Sequence, residues 1–352
     1  MKLREKKPNP ASGDVLHVTD CLNAGVGELI QQLCENYNPQ QISILWDSHS
    51  DSPTSNISMN RFNSNHHWNR GFLKRIFHLR RIVREIQPDI IHAHSSMAGF
   101  YVRLFTFRRV KTYSPHCFSF DRLDISPARR LFYLFIEVIL HQFTSYYVVN
   151  WPVEALEVSK FKPKKQIYFV RPEVTQFKDM GQYKNSIGEQ DPIFISVGRL
   201  RPQKDPAFFA SVAREFNKLS SARFIWIGTG DENIKLQLIE AGVIVIPWMN
   251  SSELANYYQN ATATLITSKW ESGPLTLFES INCSTPVVLR ASKSSIMYGI
   301  PVFKSPSEVV EECIRIANMK STIELVREQR EKSASSIELI MSKPGITPLR
   351  FK

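Results

Sequence analysis

Residues that could hold a phosphate cluster in the second half of the chain. Gly198 and Arg199 directly follow a short apolar run, and Lys204 comes five residues after Arg199. Two cations on one loop can straddle a diphosphate, because each charge-assisted hydrogen bond contributes about 1.5–3 kcal/mol. The same loop is compatible with two ordinary solvent-exposed cations, so the spacing indicates anion binding only together with other features.

A second group of residues starts in a loop and continues into a predicted helix. It contains Glu271, Gly273, Leu275, Thr276 and Glu279. The unpaired N–H groups at a helix start carry partial positive charge and suit a phosphate. Glu279, about one turn inside the helix, could accept from vicinal hydroxyls such as those of a ribose, and Glu271 from sugar hydroxyls. A capped surface helix with two unrelated acids is the alternative.

Two glycines and a tight turn complete this half. Gly228 and Gly230 follow another apolar run, and glycine lets a backbone approach a ligand closely, although a plain turn explains them as well. The segment Cys283–Val288 is expected to turn tightly into the next strand and to position the helix that bears Glu279.

The elements that must position these residues alternate along the chain. Short apolar runs separated by helical patterns predict an α/β fold with doubly wound parallel sheets. The apolar pattern lapses over residues 173–190, which we interpret as a linker. The predicted organisation is one Rossmann-like domain over 1–172, a second over 191–320, and a terminal helix and tail over 321–352 that could return to the first domain. In such sheets ligands bind beyond the carboxyl ends of the strands.

Length and composition agree with two globular domains. The chain has 352 residues and 43% hydrophobic residues, which excludes global disorder. Five widely spaced cysteines without C-x-x-C support neither a disulfide framework nor a zinc site. The charged N-terminus lacks the apolar core of a signal peptide, and the most apolar run, residues 131–140, is too short to span a membrane. These features predict a cytoplasmic protein.

The combined pattern resembles the retaining glycosyltransferases of family 4. The E-x7-E of Glu271 and Glu279, preceded by Gly198-Arg199 and Lys204, carries the resemblance in the second half. It implies the GT-B fold, in which two Rossmann-like domains face each other across a cleft. It also implies a hexosyltransferase that moves a sugar from a nucleotide-diphosphate donor with retention at the anomeric carbon.

The first half carries the same resemblance. Residues 23–28, with Gly25 and Gly27, look like the family's first glycine-rich loop, which approaches the donor phosphates. Residues 88–95 and 113–116 look like two further family segments, and the resemblance places His116 near the donor sugar. A structural histidine at a strand end is the alternative for His116. Of His92 and His94, one is expected in the core, and His66-His67 is expected to be an exposed loop pair.

The sequence departs from the family pattern at several positions. Cys117 stands where the family has glycine after His116, Arg171-Pro172-Glu173-Val174 replaces the usual "PNGV", and Ser284 replaces a turn glycine. The stretch over residues 290–297 lacks acidic and glycine residues often found there. None of these changes removes a proposed charged contact.

The resemblance implies a metal-independent mechanism. Arg199, Lys204 and the amides of residues 273–276 would bear the charge of the leaving diphosphate. No cofactor and no metal are expected, and no D-x-D follows a predicted strand of the second domain. The donor itself takes the acceptor proton in this scheme, so we assign no nucleophile. His116, Glu271, Arg199 and Lys204 are the predicted catalytic residues.

The net charge of +11 lies mostly in the first half. Residues 69–87, 101–111 and 128–140 combine arginine or lysine with aromatic and aliphatic side chains. Such segments suit an anionic membrane surface, although ordinary solvated helix faces are the alternative. The family context favours a lipid-linked or oligosaccharide acceptor at the cytoplasmic face of the membrane, in capsule or lipopolysaccharide synthesis.

Two other classes of function remain open. One is a catalytically weak or inactive GT-B subunit that binds nucleotide or scaffolds a partner transferase. The other is nucleic-acid binding, suggested by charge alone and supported by no helix-turn-helix, zinc-finger or RNP-like pattern.

Overall fold

The computed structural model describes most of the chain. The described residues are 13–20, 22, 24–35, 37–47, 58–107, 109–161, 166–174, 177 and 191–348. The chain divides into two compact units. The first contains Met1–Phe120, Pro127–Pro172 and Lys343–Lys352, and the second contains Asp121–Ser126 and Glu173–Ser342. Most of the predicted linker over residues 173–190 lies outside the described residues.

The first unit alternates strands and helices, as the apolar pattern predicts. Its strands before the linker are β1 (Val15–Thr19), β2 (Ile42–Trp46), β3 (Ser64–His67), β4 (Ile90–His94), β5 (Val110–Ser114), β6 (Tyr146–Val149) and β7 (Ile167–Phe169). Its helices are α1 (Ala24–Cys34), α2 (Phe72–Ile86), α3 (Ser96–Phe105), α4 (Pro127–His141) and α5 (Pro152–Lys160). The strands pair in parallel in the order β7-β6-β5-β4-β1-β2-β3.

The second unit repeats this architecture. Its strands are β8 (Ile193–Val197), β9 (Arg223–Ile227), β10 (Ile244–Ile246), β11 (Ala263–Ile266), β12 (Val287–Arg290) and β13 (Val302–Phe303). Its helices are α6 (Pro206–Phe216), α7 (Glu232–Glu240), α8 (Ser251–Asn260), α9 (Leu275–Asn282), α10 (Pro306–Ala317) and α11 (Ile323–Met341). The parallel strand order is β10-β9-β8-β11-β12-β13. Two doubly wound sheets therefore confirm the predicted fold class.

The chain returns to the first unit by a strand rather than by a helix. Helix α11 belongs to the second unit, where the Gln329 amide donates to the carbonyl of Val287 and accepts from its N–H. Strand β14 (Ile346–Pro348) then pairs in parallel with β7 and completes an eight-stranded sheet.

Two local predictions were wrong. Helix α1 begins at Ala24, so Gly25 and Gly27 lie in its first turn and not in a glycine-rich loop. The helix forms despite the glycines because its inner face buries Leu29, Ile30 and other apolar residues against the sheet. His66 and His67 belong to β3, a strand at the sheet edge, and not to a loop.

Aromatic side chains fill the core of the second unit. Phe194 packs against Phe216 and Phe224, with ring centroids 5.1 and 5.2 Å apart, and Phe209 packs edge-on against Trp226. Among the described cysteines, Cys34, Cys117, Cys283 and Cys313 are free thiols. No helix within the described ranges has the length and hydropathy that a membrane span requires.

Candidate active site

The strand order of the second unit sets the place of the predicted phosphate-binding residues. From β8 the chain continues through β9 to β10 on one side, and β11 lies on the other side of β8. The strand order therefore reverses between β8 and β11. Ligands of doubly wound sheets bind at such a switch point, beyond the carboxyl ends of the strands. Arg199 and Lys204 follow β8, and Glu271 follows β11, so the fold brings these segments together.

Lys204 and Glu271 form an ion pair at this point. Lys204 Nζ donates to Glu271 Oε2 at 2.6 Å, with side-chain exposures of 21% and 8%. An ammonium group has three N–H donors, so two remain for further oxygen atoms. In the structure the Glu271 carboxylate holds the lysine, and its predicted contact with sugar hydroxyls stays a prediction. Arg199 is half-buried in the same loop.

Backbone packing explains the glycines after β8 and β9. A Cβ atom on Gly228 would lie 2.2 Å from the carbonyl oxygen of Gly198. A Cβ atom on Gly230 would lie 2.5 Å from the carbonyl oxygen of Leu200. A Cβ atom on Gly198 would lie 3.2 Å from the aliphatic stem of Lys204. These glycines therefore let two loops pack together, and their contribution to donor binding stays a prediction.

Among the described residues, no side chain caps the first turn of α9. Its N-cap residue, Pro274, provides no side-chain hydrogen bond, and the turn contains no acidic residue. Leu275 and Thr276 are its first two residues, Gly273 precedes the cap, and all three are partly buried. The N–H groups and partial positive charge of a helix start favour a phosphate at such a place.

Glu279 lies inside the same helix and is 7% exposed. Its Oε2 accepts a hydrogen bond from the hydroxyl of Tyr258 on α8 at 2.7 Å. Tyr258 is itself fully buried, so the bond fixes the carboxylate in one orientation. The role of Tyr258 could not be predicted from the sequence, because the contact joins two residues that are 21 positions apart on different helices and no local pattern indicates it.

Helix α9 ends in a turn that normally contains glycine. The Thr285 N–H donates to the carbonyl of Ser280 and the Ser284 N–H to that of Ile281, the pattern of a Schellman motif. Ser284 occupies the left-handed position, with φ 61°. Cys117 likewise has φ 118°, where the resemblance expects glycine. The chain keeps both glycine-type conformations without the glycines.

The first unit has its own switch point, between β1 and β4. His116 follows the neighbouring strand β5 by two residues and has φ 50°. Its Nε2 lies 3.0 Å from His94 Nδ1, and its Nδ1 is enclosed without a hydrogen-bond partner. Burial lowers the pKa of His116 to about 4, so its imidazole is neutral at neutral pH.

Three further histidines lie behind His116. His92 and His94 are both buried, although only one was expected in the core, and His17 on β1 joins them. These three offer ring nitrogens within 4.8 Å of one another, a spacing within which a metal ion could be held. Hydrogen bonds already use both ring nitrogens of His17 and of His94. In the sequence, the only signal for this group of histidines is that His17 and His92 each occupy the third position of their strand.

Two family profiles match the chain. The profile described as "Glycosyl transferase 4-like domain" matches residues 45–164, and that of "Glycosyl transferases group 1" matches residues 179–338. A protein of Klebsiella pneumoniae, described as an uncharacterized 41.2 kDa protein in the cps region, is 26% identical over 78% of this chain and 80% of its own length.

A named transferase and a solved structure are also similar. An Escherichia coli UDP-Gal:alpha-D-GlcNAc-diphosphoundecaprenol alpha-1,3-galactosyltransferase is 22% identical over 62% of this chain and 61% of its own length. The structure of sucrose-phosphate synthase from Thermosynechococcus elongatus superposes with a TM-score of 0.72 at 15% identity, covering 93% of this chain and 96% of that one. The likeness to sucrose-phosphate synthase concerns the fold alone.

Proposed function

Because the chain belongs to the group 1 glycosyltransferases and has the GT-B fold, we propose that it is a retaining hexosyltransferase that uses a nucleotide-diphosphate sugar. The acceptor is a lipid-linked glycan, and the product is part of a surface polysaccharide such as capsule or lipopolysaccharide. The name of the Escherichia coli relative, with its UDP-galactose donor and diphosphoundecaprenol acceptor, supports these classes. The observation that carries the proposal is the meeting of Lys204, Glu271 and the uncapped start of α9 at the switch point.

The second unit binds the nucleotide diphosphate. Lys204 keeps its bond to Glu271 and donates its other N–H groups to phosphate oxygens, together with Arg199 and the amides at the start of α9. Glu279, oriented by Tyr258, accepts from the ribose hydroxyls. Two cations and a helix start supply the positive charge that the leaving diphosphate needs, so this scheme requires no metal ion.

The sugar is transferred with its anomeric configuration kept. The bond between the anomeric carbon and the diphosphate oxygen breaks, and the acceptor hydroxyl forms the new bond on the same face. The acceptor proton passes to an oxygen of the departing phosphate, so no enzymic base is needed. In the first unit, His116 contacts a hydroxyl of the substrate. In the second unit, Glu271 accepts from a hydroxyl of the donor sugar while it holds Lys204.

Helix α4 supports a membrane-bound acceptor. Its inner side buries Glu137 and His141. Glu137 forms an ion pair with the buried Arg103. Its outer side consists of large apolar residues that are 36–68% exposed: Leu131, Phe132, Leu134, Phe135, Val138 and Ile139. A water-exposed helix normally has the opposite arrangement. An apolar face of this kind fits a lipid surface.

Helix α2 adds cations and apolar residues on the same side of the sheet as α4. Helix α3 packs against both α2 and α4. Helix α2 exposes Phe72, Leu73 and Phe77, at 55%, 63% and 66%, and its sequence contains several arginines. Near-surface cations each add about 1 kcal/mol of attraction to an anionic bilayer. We therefore place the enzyme at the cytoplasmic face of an anionic membrane, bound through α2 and α4.

A thermal-shift screen against UDP-, GDP- and ADP-sugars tests the donor assignment. A ligand at 100 times its dissociation constant adds about 2.7 kcal/mol to the free energy of unfolding. One nucleotide class is expected to raise the midpoint temperature of unfolding, and Glu279→Ala should remove most of this rise. The proposal fails if no nucleotide sugar raises the midpoint. Nucleotide release from the bound donor distinguishes an active transferase from a subunit that only binds nucleotide.

A further inference from the structure

Four side chains of the first unit form one hydrogen-bonded series that ends at His116. Cys34 Sγ lies 3.7 Å from His17 Nε2, and His17 Nδ1 lies 2.9 Å from His94 Nε2. His94 Nδ1 lies 3.0 Å from His116 Nε2. The rings of His94 and His116 are stacked at 5.2 Å with an angle of 8° between their planes. We call this series the histidine chain.

The parallel register of three strands builds the histidine chain. His17 on β1 lies beside His92 on β4, and His94 is two residues further on the same face of β4. His94 in turn lies beside Ser114 on β5, which places His116 just beyond the end of that strand. Cys34, in the last turn of α1, completes the series from the helix layer.

The hydrogens in the histidine chain must all point the same way. Burial lowers the pKa of His17 and of His116 to about 4, and that of His94 well below its usual value, so each imidazole is neutral. A neutral imidazole has one N–H and one acceptor nitrogen. Because each link needs one hydrogen, choosing the donor at one end fixes the donor at every other link.

Cys34 selects the direction. Burial raises the pKa of its thiol to about 12, so the thiol keeps its hydrogen. The S–H group is a weak donor and sulfur a weak acceptor, whereas an imidazole lone pair accepts strongly. Donation from Cys34 to His17 Nε2 is therefore favoured. His17 Nδ1–H then donates to His94 Nε2, and His94 Nδ1–H donates to His116 Nε2.

The last hydrogen of the histidine chain is on His116 Nδ1. That nitrogen is enclosed and has no partner in the structure. A buried N–H group without an acceptor is unfavourable, so this position is suited to an oxygen atom of a ligand.

We propose that Cys34, His17 and His94 are positioning residues that hold His116 as the Nδ1–H tautomer, which donates a hydrogen bond to an oxygen of the bound substrate. The identification of that oxygen as a sugar hydroxyl rests on the proposed function. The tautomer itself does not, because it follows from the contacts of the first unit alone.

His92 provides a matched control. Its ring stacks on that of His94 at 4.1 Å, but its Nε2 is bonded to Ser114 Oγ at 2.8 Å. The Ser114 hydroxyl donates to the carbonyl of Val148, so it accepts from His92. His92 is therefore as buried and as close as the members of the histidine chain, yet it lies outside the series.

The first test reads the tautomer in the wild-type protein. Histidine labelled with ¹⁵N distinguishes protonated from unprotonated ring nitrogens in long-range correlation spectra, and the signals of His116 are assigned by their loss in His116→Gln. The expected result is a protonated Nδ1 and an unprotonated Nε2. A protonated Nε2 would overturn the proposal. No donor, acceptor or turnover enters this measurement, so its outcome is independent of the proposed function.

The second test breaks the histidine chain at two places. His94→Phe keeps a ring and removes both nitrogens, and Cys34→Ala removes only the S–H group. In each folded variant His116 should become a mixture of both tautomers, whereas in His92→Phe it should stay Nδ1–H. Should His116 remain entirely Nδ1–H in Cys34→Ala, the thiol does not select the direction and the proposal is wrong. Cys34→Ala is the smaller change and keeps the test available if His94→Phe does not fold.

Discussion

Lys204 Nζ lies 2.6 Å from Glu271 Oε2, and this bond joins the segments that follow two adjacent parallel strands, β8 and β11. The pair stands where the strand order of the second unit reverses, beside the uncapped start of α9. The carboxylate orients the ammonium group and partly neutralises its charge. Two of the three N–H donors of the lysine remain for phosphate oxygens.

Removing the lysine charge should slow turnover more than it weakens binding. Lys204→Met keeps the length of the side chain and removes the donor to the leaving diphosphate. Loss of one such preorganised donor lowers kcat by about 10²–10³-fold. Steady-state kinetics with a saturating donor measure the change. Lys235→Met, at an exposed pair with Glu232 on α7, is the matched control and should leave kcat unchanged. Equal rates for Lys204→Met and the wild type would exclude Lys204 from the site.

Tyr258 should matter for donor affinity rather than for the chemical step. Tyr258→Phe removes the hydroxyl that orients Glu279, and ribose contacts are the same in the ground and transition states. We expect the donor KM to rise about tenfold, close to 1.4 kcal/mol, with kcat nearly constant. Tyr257→Phe, on the neighbouring residue of the same helix, should change neither. A fall in kcat at constant KM would contradict this role.

The serine in the Schellman turn of α9 should cost stability. A non-glycine residue in the left-handed region costs about 1–2 kcal/mol, and glycine gives back part of this through the entropy of the unfolded chain. Ser284→Gly is therefore expected to raise the free energy of unfolding by about 0.5–1 kcal/mol in urea titrations. Ser342→Gly, also after a helix but with φ −78°, should lower it. If both variants changed stability by the same amount, the left-handed strain at Ser284 would be absent.

The outer face of α4 should bind anionic vesicles. The double variant Leu131→Glu/Phe135→Glu replaces two side chains that are 68% and 61% exposed. Each large apolar side chain buried in lipid contributes about 1.5–3 kcal/mol, so the partition coefficient should fall about 100-fold or more in sedimentation. The control Leu219→Glu/Leu236→Glu adds the same charge at exposed leucines of the second unit. Equal losses in both variants would show that charge, and not this face, governs binding.

The sequence predicted the central strands of both sheets, because these strands are short apolar runs between helical patterns. It did not predict the edge strand β3, whose sequence is polar. It also predicted that the segments around Lys204 and Glu271 follow the carboxyl ends of parallel strands, which lie at one edge of the sheet. It did not predict the bond from Tyr258 to Glu279 or the histidine chain, because both depend on register and packing between elements distant in sequence. The predicted start of α1 was wrong, because the glycines suggested a loop at a place where the burial of Leu29 and Ile30 favours a helix.

The configuration of the transferred sugar tests the central claim most directly. The full-length protein is incubated with the donor found in the thermal-shift screen, labelled in its sugar, and with membranes that supply lipid-linked acceptors. The anomeric configuration of the sugar in the lipid fraction is then read by NMR. We expect an α-linked product from an α-linked donor, and at least 100-fold less of it with Lys204→Met. A β-linked product, or equal transfer by Lys204→Met, would contradict the account.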